Sequence, residues 1–529
     1  MTTMSSSHFH LLVLFFFNLH SITHSDPQQT PFISCLQAKI GVLTSTLHIP
    51  KSSSYTPILQ EYIKNSRFNT STIPKPIYIA TPSTTADVQA VVVCAMATNL
   101  QIKIRSGGHD YEGVSYTSIE QNFIVLDMFN FRNISVNVGS RIAYVQAGAQ
   151  MGELYYNIWK ASKTLGFPGG VCPTMGVGGH ISGGGYGAML RKFGLSVDNV
   201  VDAELVDANG HVLNRKSMGE DLFWAIRGGG GASFGVILSY TLKLVDVPKI
   251  VTVFRVERVL EENATVLVDK WQYIAPNIDN RLFIRLLIQP ITRKPYGKTI
   301  RASFIALFLG YGQELIDVIN KEFQELGVNE NNIHEMSWME SVLFLANFAN
   351  KTTPEILLNR HSDTVGFGKR KSDYFQNPVP KSGLDLIFKK MLELGKVGFV
   401  WNPYGGVMGE IPASATPFPH RAGFLWKMQY SINWKAGGAE TENEYLNQIR
   451  SLYDFMTPYV SNSPRGAFLN YRDLDIGINH NGANSYDEGK VYGEKYFLGN
   501  FNRLVKIKTF VDPYNFFRNE QSIPVLKQI

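Results

Sequence analysis

Little charge, few cysteines and no long apolar stretch characterise this chain of 529 residues. Charged residues make up 18% and hydrophobic residues 44% of it, the proportions of an ordinary soluble globular protein. The basic residues are scattered, so the formal net charge of +6 does not favour nucleic-acid binding. Past the N-terminus no run is long enough to span a bilayer. Neither a Walker A sequence nor a G-x-G-x-x-G after a first strand occurs in its proper context, so we expect no Rossmann-type ligand site.

The N-terminus carries the features of an export signal. A short apolar run, HLLVLFFFNL at positions 10–19, is followed by a polar stretch and predicts a signal peptide over residues 1–25. The protein would then enter the secretory pathway, with the extracellular space or the vacuole as its destination. Four N-x-S/T sequons fit a secreted glycoprotein. They begin at Asn69, Asn133, Asn263 and Asn350.

Three cysteines remain once such a signal is removed. An odd number indicates one disulfide and one thiol with another task. We pair Cys35 with Cys94 and assign the other task to Cys172. The alternative for Cys94 is an unpaired core cysteine, because DVQAVVVCAMATN has the spacing of a buried helix.

At this length more than one compact core is expected, and changes in sequence texture indicate where the lobes divide. Residues 26–248 alternate short apolar strands with helices, which is typical of an α+β nucleotide-type domain. Residues 249–464 have longer strands and helices and predict a second lobe built on a sheet. Residues 465–529 are polar, aromatic and turn-rich, and we expect them to return to the first lobe.

Glycine clusters surround one histidine and one cysteine. His109 lies in RSGGHDYEG and Cys172 in GGVCPTMGVGGHISGGGYG. Glycine lets a backbone approach a ligand closely and turn its N–H groups toward phosphate oxygens. The clusters therefore suit one extended dinucleotide, and the two nucleophilic side chains suit covalent attachment of a flavin ring. Tight turns, a satisfied loop histidine and a buried thiol are the alternatives. For His180, in the same segment, we expect a structural role.

Long motifs spread over nearly the whole mature chain resemble the plant berberine bridge enzyme-like family. They are RSGGHDYEG, CPTMGVGGHISGGGYGAMLRKFGLSVDNVVDAELVDANG, DLFWAIRGGGGASFGVI, NPYGG, PFPHRAG, NYRDLDIG and DPYNFFRNEQSIP. The resemblance implies an α+β fold: the two-lobed FAD-binding fold of the vanillyl-alcohol-oxidase type, with an antiparallel-sheet substrate domain. It also implies bicovalent FAD, with His109 on the 8α-methyl carbon and Cys172 on the C6 carbon. The other predicted cofactor-binding residues are Arg105, Ser106, Gly107, Gly108, Asp110, Tyr111, Met175, Gly176, Gly178, Gly179, Gly183, Val236 and Asn515.

Five side chains are candidates for substrate chemistry. Alternation along FLWKMQYSINW puts Lys427 and Gln429 on one face of a strand, which either meets solvent or floors a site. The resemblance favours the site, and it implies that Tyr471 is a catalytic base and Tyr186 a second active-site tyrosine, with ordinary packing as the alternative for both. An ammonium such as Lys427 would lower the pKa of a nearby tyrosine. Arg301 is either a surface residue or a cation facing the site.

Two departures from the family pattern bear on the chemistry. Gln429 stands where the berberine bridge enzymes carry a catalytic glutamate, which argues against alkaloid ring closure. Met175 stands where oxidases of the family commonly have Val or Ile beside the oxygen-access pocket. We expect its longer side chain to hinder reaction with oxygen, so that the protein acts as a dehydrogenase or holds FAD without net redox chemistry.

Three hypotheses of function follow. The first is an FAD-dependent oxidoreductase of plant specialised metabolism that oxidises a phenolic, of the prenylated-phenol or monolignol class, by tyrosine-assisted deprotonation and hydride transfer to flavin N5. The second is a redox-neutral cyclase for the Diels–Alder addition of a diene to a chalcone-like enone, polarised by Arg301. The third is a flavoprotein that binds a ligand without turnover, against which the retained tyrosines argue. The expected partners are a small plant metabolite and molecular oxygen or another electron acceptor, and the expected state is a monomer.

Overall fold

The computed structural model describes residues 30–43, 46–361 and 365–526, so the predicted signal peptide over residues 1–25 lies outside it. Within these ranges, no helix is long and apolar enough to cross a membrane. The four sequon asparagines, Asn69, Asn133, Asn263 and Asn350, are all exposed. Glycan attachment requires such exposure, and glycosylation itself stays a prediction.

Two sheets form the N-terminal part of the described chain. The first is mixed, with the strand order β1 (Leu47–His48), β2 (Tyr78–Ala80), β4 (Phe123–Asp127) and β3 (Gln101–Arg105), and its last three strands are parallel. The second is antiparallel, with the order β5 (Ile134–Asn137), β6 (Ile142–Gln146), β10 (Val236–Lys243), β8 (Val200–Val206) and β9 (Val212–Leu213). A short pair, β7 (Leu165–Gly166) and β11 (Val245–Asp246), lies beside them. The strands predicted from short apolar runs are all present here.

Seven helices of the described residues belong to this part of the chain, and a disulfide joins the first of them to the third. They are α1 (Pro31–Ile40), α2 (Tyr55–Glu61), α3 (Thr85–Ala97), α4 (Met151–Ala161), α5 (Val177–Ser182), α6 (Leu190–Phe193) and α7 (Arg215–Ile226). Helix α3 begins at a capping box, in which Thr84 and Asp87 each accept the other's backbone N–H. The disulfide between Cys35 of α1 and Cys94 of α3 confirms the predicted pairing.

A seven-stranded sheet, antiparallel throughout, forms the second part of the described chain. Its order is β15 (Ile333–Met336), β12 (Val251–Val259), β14 (Gly297–Phe308), β13 (Leu282–Arg293), β17 (Gly398–Pro403), β18 (Trp426–Trp434) and β16 (Phe367–Phe375). The helices of this part are α8 (Ala264–Ile274), α9 (Gly312–Glu322), α10 (Trp338–Leu345), α11 (Lys381–Leu394), α12 (Val407–Glu410) and α13 (Ala439–Phe455). Together these elements build the antiparallel-sheet lobe that the sequence predicts, including strands β16 and β17, which the apolar pattern alone did not mark.

One face of this sheet is apolar and the other is polar. Trp426, Met428 and Tyr430 of β18 lie in a buried core with side chains of α8, α11 and α13. Lys427 and Gln429 therefore lie on the opposite face, as the alternation predicts. The strand register aligns Leu287, Val400 and Gln429 across three adjacent strands of that polar face.

The C-terminal segment differs from the expectation of a turn-rich tail, because it contains α14 (Ser485–Phe497) and α15 (Phe501–Val511). Its aromatic residues are spaced for helices, and Tyr492, Tyr496 and Phe501 are buried in the main core. The last residues contact the first sheets: Glu520 pairs with Lys103 at 2.6 Å.

Candidate active site

A cavity of about 390 Å³ lies between the glycine segments of the first lobe and the polar face of the large sheet. This volume falls in the range of small-molecule and cofactor sites. Most of the predicted site residues border it: Ser106, Gly107, Gly108, His109, Asp110, Tyr111, Cys172, Met175, Gly176, Gly178, Gly179, Gly183, Tyr186, Gln429 and Tyr471. Residues more than three hundred positions apart therefore share one space.

The glycine segments form the floor of this cavity through close backbone contact. A Cβ on Gly107 would overlap the backbone of Gly176, and the reverse also holds. By contrast, nothing lies within 4 Å of the place where a Cβ of Gly179 would stand. Gly179 therefore opens into the cavity, which leaves room for a ligand close to the backbone.

His109 and Cys172 both face the cavity. Burial and the nearby Lys64 lower the pKa of His109 to about 4, so the imidazole is neutral near pH 7 and keeps a lone pair. Cys172 forms no disulfide and is exposed to the cavity. Protein nevertheless surrounds it, and this burial raises the pKa of its thiol, while Arg285 and Arg370 act in the opposite direction.

These groups fit an FAD molecule. The hydroxyl oxygen of Ser115 is buried in the cavity wall and has no hydrogen-bond partner among the described residues, so a ligand group can supply one. Backbone N–H groups of the glycine floor can donate to phosphate oxygens, and a neutral imidazole and a thiol border the same cavity. His180 instead makes internal contacts: its Nε2 accepts the N–H of Gly170 at 3.1 Å and lies 3.2 Å from the Ser196 hydroxyl.

Two tyrosines of the cavity wall and a lysine buried behind them form a reactive corner, and the lysine itself does not border the cavity. The hydroxyl groups of Tyr186 and Tyr471 are hydrogen-bonded to each other. The Nζ of Lys427 lies 3.1 Å from the ring centre of Tyr186, 3.7 Å from that of Phe468 and 4.9 Å from that of Tyr471. No polar atom of the described chain partners this fully buried Nζ. Three aromatic rings thus surround one cation site, an arrangement that attracts an ammonium group.

Burial dominates the electrostatics of this corner. It raises the pKa of Tyr186 and raises that of Tyr471 well above the ordinary tyrosine value. Burial and the nearby Arg285 lower the pKa of Lys427 well below its ordinary value. The expected lowering of a tyrosine pKa by Lys427 is not found, because burial disfavours the ammonium itself and its Nζ lies over the ring faces rather than at a phenol oxygen.

Tyr186 has more hydrogen-bond donors around its oxygen than Tyr471 has. The Nδ2 of Asn402 donates to the Tyr186 hydroxyl at 3.3 Å, and the Nε of Arg285 donates to Asn402 Oδ1 at 3.0 Å. The Tyr471 hydroxyl is hydrogen-bonded to that of Tyr186 and is the donor of this bond whenever Tyr186 is a phenolate. A negative charge on Tyr186 would thus be stabilised from two sides. Tyr111 completes the wall, and the Nε2 of Gln429 donates to its hydroxyl at 3.4 Å.

Arg285 and Asn402 were missed in the sequence, although each left a signal. Arg285 is a lone charge within the apolar strand FIRLLIQ, and alternation gives it the same face as Leu287 and Gln289. Asn402 begins the motif NPYGG, which carried the family resemblance but no role. Arg472, Arg518 and Asn519 of the tail also border the cavity.

Besides Lys427, four predicted site residues do not border the cavity, so their direct contact with a ligand stays a prediction. Arg105 is fully buried behind the cavity wall and pairs with Asp127 at 2.6 Å. Val236 is packed in a hydrophobic core, because alternation along β10 turns Ile237 toward the cavity instead. Asn515 stands at the end of α15, and the tail reaches the cavity only three and four residues later.

Arg301 is the fourth of these residues. It lies on the polar face of the sheet but farther along β14, where it contacts Glu257 at 3.4 Å and Gln289 at 3.1 Å. We expected the Arg301 guanidinium to face a substrate carbonyl, but it is paired with Glu257 instead. Among the residues of the large sheet that border the main cavity, the cation is Arg285.

Comparison with known proteins identifies the family. A model described as an FAD binding domain matches residues 76–215, and one described as berberine and berberine like matches residues 467–524. Berberine bridge enzyme-like 21 of Arabidopsis thaliana is 53% identical over 524 residues, which cover 98% of this chain and 97% of that protein. The chain belongs to the berberine bridge enzyme-like family.

Solved structures agree with this assignment. The berberine bridge enzyme from Eschscholzia californica is 36% identical with a TM-score of 0.88, and the match covers 94% of this chain and 100% of that one. The pollen allergen Phl p 4, described as having glucose dehydrogenase activity, is 42% identical with a TM-score of 0.90 over the same shares. An isoleucine-to-valine variant of Phl p 4 is described as a glucose oxidase.

Family membership confirms several expectations. The α+β fold of the berberine bridge enzyme-like proteins, the FAD-binding domain and the oxidoreductase class are those that the motifs implied. A member of this family uses FAD on a small-molecule substrate and passes the electrons to an acceptor.

Proposed function

We propose that this berberine bridge enzyme-like protein oxidises a hydroxyl-bearing small molecule of plant metabolism, with FAD bonded to both His109 and Cys172. The hydrogen-bonded pair of Tyr186 and Tyr471, set over the ring-enclosed Lys427 in the cavity that His109 and Cys172 share, carries the proposal. When bound, FAD supplies a hydride acceptor at N5. The chain itself has to remove one proton from the substrate.

Tyr186 is the proposed base and Tyr471 its partner. Two donors, from Asn402 and Tyr471, stabilise Tyr186 as phenolate, and Lys427 provides a positive charge at its ring face. Lys427 has no polar partner behind the cavity wall, so burial favours its neutral form, and it gains a counter-charge only when a tyrosine ionises. The two charged forms thus favour each other, which offsets the burial that disfavours each alone. The substrate hydroxyl then gives its proton to Tyr186.

The predicted phenolic substrate stays a candidate, and the aromatic walls support it. Tyr111, Phe468 and Tyr471 border the cavity and offer ring faces to an aromatic substrate. A monolignol carries both an aromatic ring and the alcohol that a tyrosine base could deprotonate.

A sugar is the second candidate, favoured by a smaller cavity of about 180 Å³ on the same sheet face. It shares Leu287 and Val400 with the main cavity and is lined by polar side chains, among them Ser431. Arginines hold the amide oxygens of Gln289 and Asn433, at 3.1 and 2.7 Å, so their N–H groups remain as donors. Such donors suit hydroxyl-rich ligands, and the relative Phl p 4 is described as a glucose dehydrogenase.

The other two hypotheses have less support. The cyclase needed a free Arg301 to polarise an enone, and Arg301 is paired with Glu257. A ligand binder without turnover would not need a buried lysine beside two bonded tyrosines, since an unpaired buried ammonium is costly.

Met175 is proposed to make the protein a dehydrogenase rather than an oxidase. It borders the cavity near Cys172, and its methyl end packs on Gly170.

We further propose that the protein is secreted and acts outside the cell or in the vacuole, which the disulfide between Cys35 and Cys94 favours. We also propose that it is a monomer.

Steady-state reduction of an artificial dye tests the substrate class. The purified yellow protein is supplied with a monolignol, a prenylated phenol, glucose or a disaccharide, and dye bleaching is followed. Dye reduction by a phenolic supports the first candidate. Reduction by sugars, weakened in N433A, supports the second. Product from a diene and an enone with no dye bleaching would instead support the cyclase.

A further inference from the structure

We propose that Thr174 is a positioning residue for flavin attachment, because its hydroxyl engages Nε2 of His109 and leaves Nδ1 toward the cavity. The inference rests on the proposed bond between His109 and FAD and adds a residue to which no role has been given. Thr174 lies two residues after Cys172 and is buried in the cavity wall. The chain segment that carries Cys172 would thus also supply the residue that positions His109.

The contact between the two side chains is short and specific. His109 Nε2 lies 2.7 Å from Thr174 Oγ1, while no hydrogen bond engages Nδ1 in the described part of the chain. His109 borders the cavity, so Nδ1 is the nitrogen left available to a ligand there. No other hydrogen bond of the Thr174 hydroxyl competes with this contact among the described residues.

The tautomer decides whether that nitrogen can react. A neutral imidazole carries one N–H and one lone pair, and only the lone pair can bond to carbon. When Nε2 carries the proton, it donates to Thr174 Oγ1 and Nδ1 keeps its lone pair. Burial, which lowers the pKa of His109 to about 4, ensures that the ring is neutral near pH 7 but does not choose between the two nitrogens. The hydroxyl of Thr174 can accept from a protonated Nε2, which lets the ring keep that proton there while the lone pair of Nδ1 stays free to react.

The attachment balances without a further group from the chain. Nδ1 forms a bond to the 8α-methyl carbon, the methyl group loses one proton and the imidazole loses the one on Nε2. The electron pair of the broken C–H bond passes into the flavin ring, which takes up both protons, and dioxygen later removes the two electrons and two protons as hydrogen peroxide. After the bond has formed, Nε2 is an acceptor and the Thr174 hydroxyl can turn to donate to it. A hydroxyl serves both states, which an isosteric methyl group does not.

The test uses the full chain with Cys172 replaced, so that only the histidine can hold flavin through acid precipitation. C172A is compared with C172A/T174V and C172A/T174S, with C172A/H109A as the blank. Yellow colour in the acid pellet and intact mass report the bond. Flavin bound before acid treatment and the melting temperature report folding and cofactor binding. No readout depends on turnover.

The expected result is that C172A keeps flavin in the pellet, C172A/T174V loses most of it while still binding FAD reversibly, and C172A/T174S restores it. Equal retention in C172A/T174V would overturn the role of Thr174 and leave the histidine linkage standing. Failure of T174S to restore a loss seen in T174V would assign that loss to packing and likewise overturn the role. Release of all flavin from C172A, as from the blank, would overturn the linkage and the role together.

Discussion

At the scale of single residues, the unpaired lysine is the feature that most needs a reason. Lys427 is fully buried without a polar partner, and because a charge there would cost several kcal/mol its pKa lies well below the ordinary lysine value. Three ring faces compensate for part of this cost, at about 0.5–2 kcal/mol each. The remainder is explained if a phenolate on Tyr186 or Tyr471 is its partner during the reaction. The same phenolate would then serve as the catalytic base and as the counter-charge of Lys427.

Replacement of either tyrosine separates their roles. Y186F removes the proposed base and is expected to slow flavin reduction by about 10²-fold or more, in the range of general-base effects. Y471F removes one donor to Tyr186, so we expect a smaller loss. Stopped-flow absorbance of the flavin under anaerobic conditions measures both rates. A larger loss in Y471F than in Y186F would reverse the assignment, and unchanged rates in both would refute it.

Met175 gives a second prediction at this scale. M175V shortens the side chain that packs on Gly170 and is expected to speed the return of flavin colour when air is admitted to the reduced protein. M175L, which keeps the size, is the matched control and should stay slow. If wild-type protein already reoxidises as fast as M175V, Met175 does not restrict oxygen.

At the scale of elements, a buried ionic cluster joins three segments at the edge of the large sheet. Lys369 and Lys371 of β16 both contact Asp473 of the tail, at 2.7 and 2.6 Å, and Lys369 also contacts Glu112 next to Tyr111. Asp473 follows Tyr471 by two residues. The cluster therefore fixes the tail segment that presents the tyrosine to the cavity.

Removal of one charge from this cluster is expected to be severe. D473N removes one of the carboxylates that Lys369 and Lys371 share, leaving Glu112 and the half-exposed Asp475, and should lower the free energy of unfolding by about 3 kcal/mol. E494Q, in the exposed pair of Lys490 and Glu494, is the matched control with an expected change below about 0.5 kcal/mol. Chemical denaturation of both variants provides the comparison. Equal, small effects would show that the cluster is not a stabilising joint.

Sequence patterns predicted an element well where its residues follow a single pattern, such as the alternation of apolar and polar residues along a strand. Alternation placed Lys427 and Gln429 correctly because β18 has one apolar and one polar face. The sequence left Arg301 open between the surface and the site, since its ion pair with Glu257 depends on strand register across the sheet. Helices α14 and α15 were missed because their buried aromatic residues resembled turn-rich, site-lining sequence. The cavity itself joins segments that only the tertiary fold brings together.

At the scale of the whole molecule, buried histidines make stability depend on pH. Burial lowers the pKa of both His180 and His420 to about 3, against 6.5 for an unfolded histidine. The unfolded chain therefore binds protons more readily below pH 6.5. The stability due to neutral histidines is complete above that pH and is lost as the pH falls toward 3, by about 1.4 kcal/mol per pH unit for each group.

The melting temperature of the flavin-containing protein is accordingly expected to fall steadily between pH 6.5 and 4. His420 stacks on Tyr374 at 3.7 Å, so H420F keeps a planar ring while it removes one titrating group. Its melting temperature should fall less steeply over the same range. A slope equal to that of the wild type would show that carboxylates alone cause the acid loss.

The central claim is that this cavity holds FAD as the electron acceptor for a bound metabolite. Anaerobic mixing of the purified protein with the substrate that reduces the dye, while flavin absorbance is followed, tests it most directly. The account predicts loss of the oxidised flavin spectrum, with one oxidised product formed for each flavin reduced. Product that accumulates while the flavin stays oxidised would contradict it.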